Sequence, residues 1–262
     1  SAFAAGIATG TGSGTSGQVQ VSGCTSAYAS EKYDIALGCG ADSGGYGGVS
    51  IGHNSQSVDS SGPSGLLGSV AIGENAYASG VAIGEGARAG KLGANGLYDL
   101  GTAIGSGSSA TGNYSIAIGV GADGPANASG DGAIAIGNDS IGSGEWALAV
   151  GDEAQATGLE SIALGSNVIS SGRDSIAIGT RSRASGTSSL SVGDNNVSGN
   201  GSGAFGDSTK ITGNGTYSVG NNNGTIDASS SGVFGNDNTI SGAISSALQY
   251  VAICRNVSLP AA

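Results

Sequence analysis

One phrase, apolar–small–apolar–glycine, returns along this chain at a nearly constant interval. It reads Ile35-Ala36-Leu37-Gly38, Val49-Ser50-Ile51-Gly52, Val70-Ala71-Ile72-Gly73 and Val81-Ala82-Ile83-Gly84, and it continues through Ile176-Ala177-Ile178-Gly179 to the degenerate Gly232-Val233-Phe234-Gly235. Fourteen anchoring glycines, from Gly38 to Gly235, are spaced 14, 21, 11, 21, 14, 18, 14, 14, 14, 14, 13, 14 and 15 residues apart. A weaker phrase lies between the anchors, as in Asn75–Gly80 (NAYASG), Gly86–Gly90 (GARAG), Glu153–Gly158 (EAQATG), Ser182–Gly186 (SRASG) and Asn195–Gly199 (NNVSG). Fourteen residues are too few for a strand and a helix, but they suit two short strands and two tight turns. Stacked coils of that kind set each strand beside its copy in the next coil, in parallel and about 4.8 Å away; fourteen would extend about 65 Å. The period therefore predicts an all-β solenoid with coils of about 14 residues.

Composition agrees with repeated backbone geometry. Glycine supplies 53 of 262 residues, with 3 prolines and no methionine. Collagen would need glycine at every third position and a flexible linker would need more proline, so neither accounts for the excess. Large side chains are scarce, which excludes a broad globular core. Lys and Arg number 8 against 19 Asp and Glu, a formal charge of −11, which argues against nucleic acid as a partner. No apolar run approaches the length of a membrane helix, and the opening SAFAAGIATG lacks a basic segment. An export signal or membrane anchor is expected outside this chain.

The two strands of a coil differ in pattern. In NAYASG, Ala76 and Ala78 share one face and Tyr77 takes the other; Arg88, Gln155 and Arg183 are the matching outward positions. In SIAIG, Ile176 and Ile178 point one way and Ala177 the other, so neither face is polar. A strand apolar on both faces wants cover on both. Its own coil covers one face, and another chain is expected to cover the second. The alternative is a monomeric solenoid whose Ala row faces solvent.

The long intervals mark insertions at 53–69, 85–101 and 120–132, which in solenoids emerge as loops suited to binding. Leu66, Leu67, Leu97 and Tyr98 are large residues within them, expected to pack onto the solenoid or a neighbouring chain. The organisation expected is an irregular or capping region over 1–33, head repeats over 34–242, and a C-terminal cap or connector over 243–262. Trp146 reads as a packing or surface aromatic. Cys24 and Cys39 are candidates for a disulfide in an oxidising compartment, against a reading of three small buried thiols that includes Cys254.

Catalytic patterns are missing. The single histidine, His53, has no nucleophile or ligand pair beside it, and acidic neighbours such as Asp152 and Glu153 fall in turns. GDNN at 193–196, GNNN at 220–223 and GNDN at 235–238 resemble ion-binding turns, but Asn and Asp bond to turn backbone and tolerate left-handed conformation, the simpler account. Threonine is too scattered for an ice-binding array. The Gly-x-Gly instances precede no helix. No catalytic, cofactor-binding or metal-binding residue is assigned, no cofactor is expected, and the chain does not read as an enzyme.

From Asp34 to Gly242 the in-phase anchors resemble the head of a trimeric autotransporter adhesin, typified by the Yersinia adhesin head. The nearest copies are Ser69–Gly73, Ser115–Gly119, Ser161–Gly165 and Ser175–Gly179, and the NAYASG and RASG turns are similar too. The resemblance implies a left-handed parallel β-roll, three rolls side by side in a homotrimer, and the Ile-Ala-Ile-Gly strands as inner sheets. It implies display on a Gram-negative cell surface, on a coiled-coil stalk held by an outer-membrane barrel. The expected partners are extracellular matrix proteins, host or bacterial cell surfaces, or abiotic surfaces, with a role in biofilm and virulence. The family's neck phrase, DAVNVAQL-like, is absent, and the cysteine-bearing N-terminal section departs from simple heads. No binding residue of the family maps onto this sequence by motif. A rigid spacer projecting another binding domain is the alternative.

Overall fold

A computed structural model describes residues 19–21, 27–29, 33–44, 47–58, 68–90, 100–120, 124–240, 251–252 and 258–259. Every regular element among them is a short β-strand, and every pairing between strands is parallel. Two compact units are formed, Ser1–Asp139 and Ser140–Ala262.

Both units are built from the coil that the period predicts. In the first, strands of the anchor phrase run in chain order from Val19–Val21 and Ile35–Leu37 to Ile134–Ile136, forming what we term the first-strand sheet. The intervening strands, from Tyr28–Ala29 to Asn127–Ala128, form the second-strand sheet. The other unit repeats this arrangement from Leu148–Val150 to Val251–Ala252, and from Ile141–Gly142 to Ser258–Leu259. Like positions stack on like: Ile162 pairs with Ile176 and then Leu190, Ala163 with Ala177 and Ser191, Leu164 with Ile178 and Val192. The fold is a parallel β-solenoid. Parallel pairing also occurs outside 34–242, where Val19 meets Ile35 and Ser258 meets Thr239.

Long intervals leave the register intact. Ser50 pairs with Ala71 across the first, Ile83 with Ile104 across the second, and Ile118 with Ile136 across the third. Each expected insertion also contains a regular second strand, namely Gln56–Ser57, Arg88–Ala89 and Asn127–Ala128. Only the remainder is extra chain, and Leu66, Leu67, Leu97 and Tyr98 lie within it, outside the described residues. The 11-residue interval is shortened at a turn, where Ser79-Gly80 alone joins Tyr77–Ala78 to Val81–Ile83.

Small residues fill the interior. In the first unit thirteen alanines from Ala71 to Ala135 form one buried cluster. In the second, Ala147, Ala149, Ala154, Ala156, Ala163, Ala177 and Ala184 do the same with Val168. Several buried serines satisfy their hydroxyls internally. Ser175 Oγ donates to the Gly172 carbonyl at 2.7 Å, and Ser182 Oγ donates to the Ser191 carbonyl at 3.0 Å. Toward residue 240 the interior enlarges: Val197, Ile211, Ile226 and Ile240 point inward and cluster with Ala204 and Val233.

Glycine is required where coils touch backbone to backbone. Gly165 has φ +129°, and a Cβ there would lie 1.8 Å from the Gly179 carbonyl oxygen. At the second turn, a Cβ on Gly172 would lie 2.1 Å from the Gly186 carbonyl oxygen. Other turn positions carry ordinary residues in left-handed backbone, including Asp174 (φ 54°) and Arg181 (φ 58°). Cys39 is disulfide-bonded; Cys24 and Cys254 lie outside the described residues, so the thiol reading fails for Cys39.

Three substitutions test this packing by thermal and urea denaturation. Ala177→Leu overfills the coil and is expected to cost about 1–3 kcal/mol. Gly165→Ala forces adjacent backbones apart and should cost more. Ala163→Ser should be nearly neutral, because Ser191 already occupies that column.

Candidate functional site

Each sheet has an inner and an outer face, and the outer faces are where this protein can meet anything else. On the first-strand sheet the middle residue of each anchor phrase points in. Ala36, Ala71, Ala103, Ala117, Ala149, Ala163 and Ala177 are all fully buried. The flanking large residues point out, and the most exposed include Ile178 at 36%, Phe205 at 44% and Phe234 at 50%. This reverses the monomer alternative read from the sequence, in which an Ala row would face solvent. The outward row is Ile, Val, Leu, Tyr and Phe. Steric room decides it, because the coil interior admits only Ala, Ser or an occasional Val at those middle positions.

The outward row is continuous within each unit. In the first it runs from Ile35 and Leu37 through Val49 and Ile51 to Ile134 and Ile136, with each residue partly or largely exposed. In the second it runs through Leu148, Val150, Ile162, Leu164, Ile176 and Ile178 to Leu190 and Val192. Beyond that, the aromatic side chains take over. The Tyr217 ring lies against Gly203, with its Cδ1 3.1 Å from where a Cβ would stand. Soluble monomers rarely leave a contiguous apolar strip of this kind bare.

The second-strand sheet carries a polar and mixed outer ladder. In the first unit its positions are Tyr28, Asp42, Gln56, Tyr77, Arg88, Ser109 and Asn127. In the second they are Ile141, Gln155, Ile169, Arg183, Asn196, Lys210 and Thr225. Inward neighbours such as Ala78, Ala89, Ala156 and Ala184 are fully buried, as the alternation predicts. The Arg88 guanidinium sits 5.6 Å from the centre of the Tyr77 ring.

The asparagine-rich turns lock one coil to the next. Asn195 Nδ2 donates to the Val192 carbonyl at 2.8 Å, and Asn195 Oδ1 accepts from the Thr209 amide at 3.0 Å. Asn223 Nδ2 donates to the Gly235 carbonyl at 2.7 Å, and its Oδ1 accepts from the Asn238 amide at 3.0 Å. A second column lies outside it: the Asp194, Asp207 and Asn221 amides donate to Asp207, Asn221 and Asn236 side-chain oxygens at 2.8–3.0 Å. These side chains therefore have structural employment, and no group of three or more His, Cys, Asp or Glu suited to a metal occurs among the described residues.

The remaining singled-out residues stay apart. His53 is exposed with Nδ1 3.5 Å from Glu74 Oε1. Glu153 sits in left-handed backbone and accepts a hydrogen bond from Asn167 Nδ2. Trp146 is a surface residue, 60% exposed, at a left-handed turn position.

Each unit therefore presents one mixed, largely polar outer sheet and one apolar outer sheet. Residues 67–81, 99–122, 125–140, 143–167 and 170–196 match the YadA head domain repeat. Over those residues the chain is similar to the head repeats of trimeric autotransporter adhesins. No curated protein matches the chain.

The asparagine columns predict two results. Asn223→Ala strips partners from buried backbone groups and should lower stability by about 1–3 kcal/mol. Asn222→Gly, at φ 56°, should leave stability nearly unchanged in the same melts, because relief of the left-handed backbone offsets the added chain entropy and the lost hydrogen bond to Asp237.

Proposed function

We propose that three copies of this chain associate through the outer faces of their first-strand sheets, and that the assembly is the adhesive head of a cell-surface protein. The observation that carries this reading is the row of large apolar side chains on that face, which a single chain leaves uncovered. Covering one fully exposed Ile or Leu side chain contributes roughly 1.5–3 kcal/mol, and these positions, being half-buried already, contribute a smaller share each. Repetition over many coils makes the sum large. The match to the YadA head domain repeat supports the choice of three chains and of adhesion over other uses of a solenoid.

In this reading the polar second-strand sheets and the extra chain at the long intervals face outward and meet the target. The targets are extracellular matrix proteins, host or bacterial cells, or abiotic surfaces. Every coil repeats the same kind of surface and three chains triple it, so weak single contacts add up to avidity. The head stands outside a Gram-negative cell, tethered to the outer membrane by a segment beyond this chain, and it contributes to biofilm and virulence. The 1–33, 34–242 and 243–262 segments act as entry region, repeat body and exit region.

Sedimentation of the purified chain should give three copies. Ile136→Asp combined with Ile178→Asp, one charge in each unit, should shift it toward monomer while the β-sheet circular dichroism is kept. A stable wild-type monomer would overturn the assembly. Solid-phase assays on collagen, fibronectin, laminin, cells and plastic test adhesion. Binding that falls when 53–69 or 85–101 is shortened to a standard coil supports it, and no binding to any surface would leave a spacer.

A further inference from the structure

We propose that the outer second-strand sheet of the Ser140–Ala262 unit carries a docking groove for a linear anionic glycan, a polysaccharide bearing sulfate or carboxylate groups, held chiefly by Arg183 and Lys210. The proposal rests on the adhesive reading above and supplies it with a ligand class.

A shallow groove of about 430 Å³ lies on this face, and Arg181, Arg183, Asp194, Asn196, Lys210 and Thr225 line it. It sits on the outward ladder, where Arg183 pairs with Asn196, Asn196 with Lys210, and Lys210 with Thr225. Arg183 and Lys210 therefore stand two strands apart, about 9.5 Å along the solenoid. The chain has 8 basic residues against 19 acidic ones, yet three of the basic ones meet in this groove. Cations gathered on an otherwise acidic surface are unexpected unless something anionic belongs there.

The three are not equivalent. Arg181 is committed to Asp194, with Nε 3.1 Å and a terminal nitrogen 2.5 Å from Oδ2. Arg183 and Lys210 are exposed and form no ion pair among the described residues. Asp207 borders the adjoining hollow on the turn side, together with Asp194 and Arg181. Carboxylates thus bound the groove along that edge and leave the Arg183–Lys210 side as its anion-attracting part. The arginine fork accepts a planar carboxylate or two sulfate oxygens at once, and the lysine adds a second point charge.

Between these cations the groove presents the Asn196 amide, and beyond Lys210 the Thr225 hydroxyl, neutral donors and acceptors of the kind that sugar hydroxyls need. A linear polysaccharide lying along the solenoid axis would bring one acidic group to each cation and its hydroxyls to the positions between. Nucleic acid fits less well. None of the groove residues offers an aromatic platform for its bases.

The test uses the whole purified chain, with immobilised heparin, chemically desulfated heparin, neutral dextran and a single-stranded oligonucleotide of matched length as probes. The wild type should bind heparin, lose it as salt rises, and bind the desulfated polymer, dextran and oligonucleotide more weakly. Arg183→Gln with Lys210→Gln should weaken heparin binding about five- to tenfold with an unchanged thermal melt. Arg88→Gln, an exposed cation in the other unit, should leave it unaltered. Absent heparin binding, equal binding to the oligonucleotide, or an equal loss in Arg88→Gln would each overturn the groove. Retained binding to matrix proteins or cells in those cases would leave the adhesive reading standing, whereas loss of every surface would remove that as well.

Discussion

Successive coils of this solenoid lie so close that the carbonyl of one glycine fills the space where its neighbour's side chain would be. At Gly165 and Gly172 the gap to a hypothetical Cβ is 1.8 Å and 2.1 Å, far inside any permitted contact. The chain can close a coil in about 14 residues only because these positions lack side chains, and at Gly165 only because glycine accepts the backbone angle. Two sheets held this near each other leave room for alanine and serine between them. The rest of the molecule follows from that narrowness.

Hydrophobic side chains that a thicker protein would bury are turned out instead. Ala177 is enclosed while Ile176 and Ile178 flank it on the outside, so a single chain hides its small residues and displays its large ones. The strand that encloses the small core residues of a coil thus also carries its exposed apolar row. Near the C-terminal end the pattern relaxes: Ile211, Ile226 and Ile240 move inward, buried asparagines bridge the turns, and aromatic rings cover glycines on the outside. Polar columns there do the work that apolar contact does elsewhere, since a buried amide that satisfies both its donor and its acceptor ties two coils together.

Much of the functional reading was also accessible from spacing. In the Asn-rich turns, where backbone bonding was the simpler account, Asn195 and Asn223 brace their coil against the next. The outward positions Tyr77, Arg88, Gln155 and Arg183 were legible from alternation alone. The meeting of Arg181, Arg183 and Lys210 was not. Arg183 and Lys210 are 27 positions apart in number, and they become neighbours only because the 13- and 14-residue steps between them bring both to the same ladder. Counting coils would have found the pair; reading along the chain could not.

The sequence by itself determined the period, the two-strand coil and the parallel stacking, since a glycine at a fixed interval permits few other backbones. It also determined that one strand would be apolar on both faces. Which of those faces turns inward was decided by tertiary structure. A tally of hydrophobicity assigns isoleucine to the core, but the distance between the sheets admits alanine and serine at the middle position, with Val233 the exception. The consistently small middle position was the signal: the face that tolerates Val, Leu, Tyr, Phe and Gly is the one with space beside it.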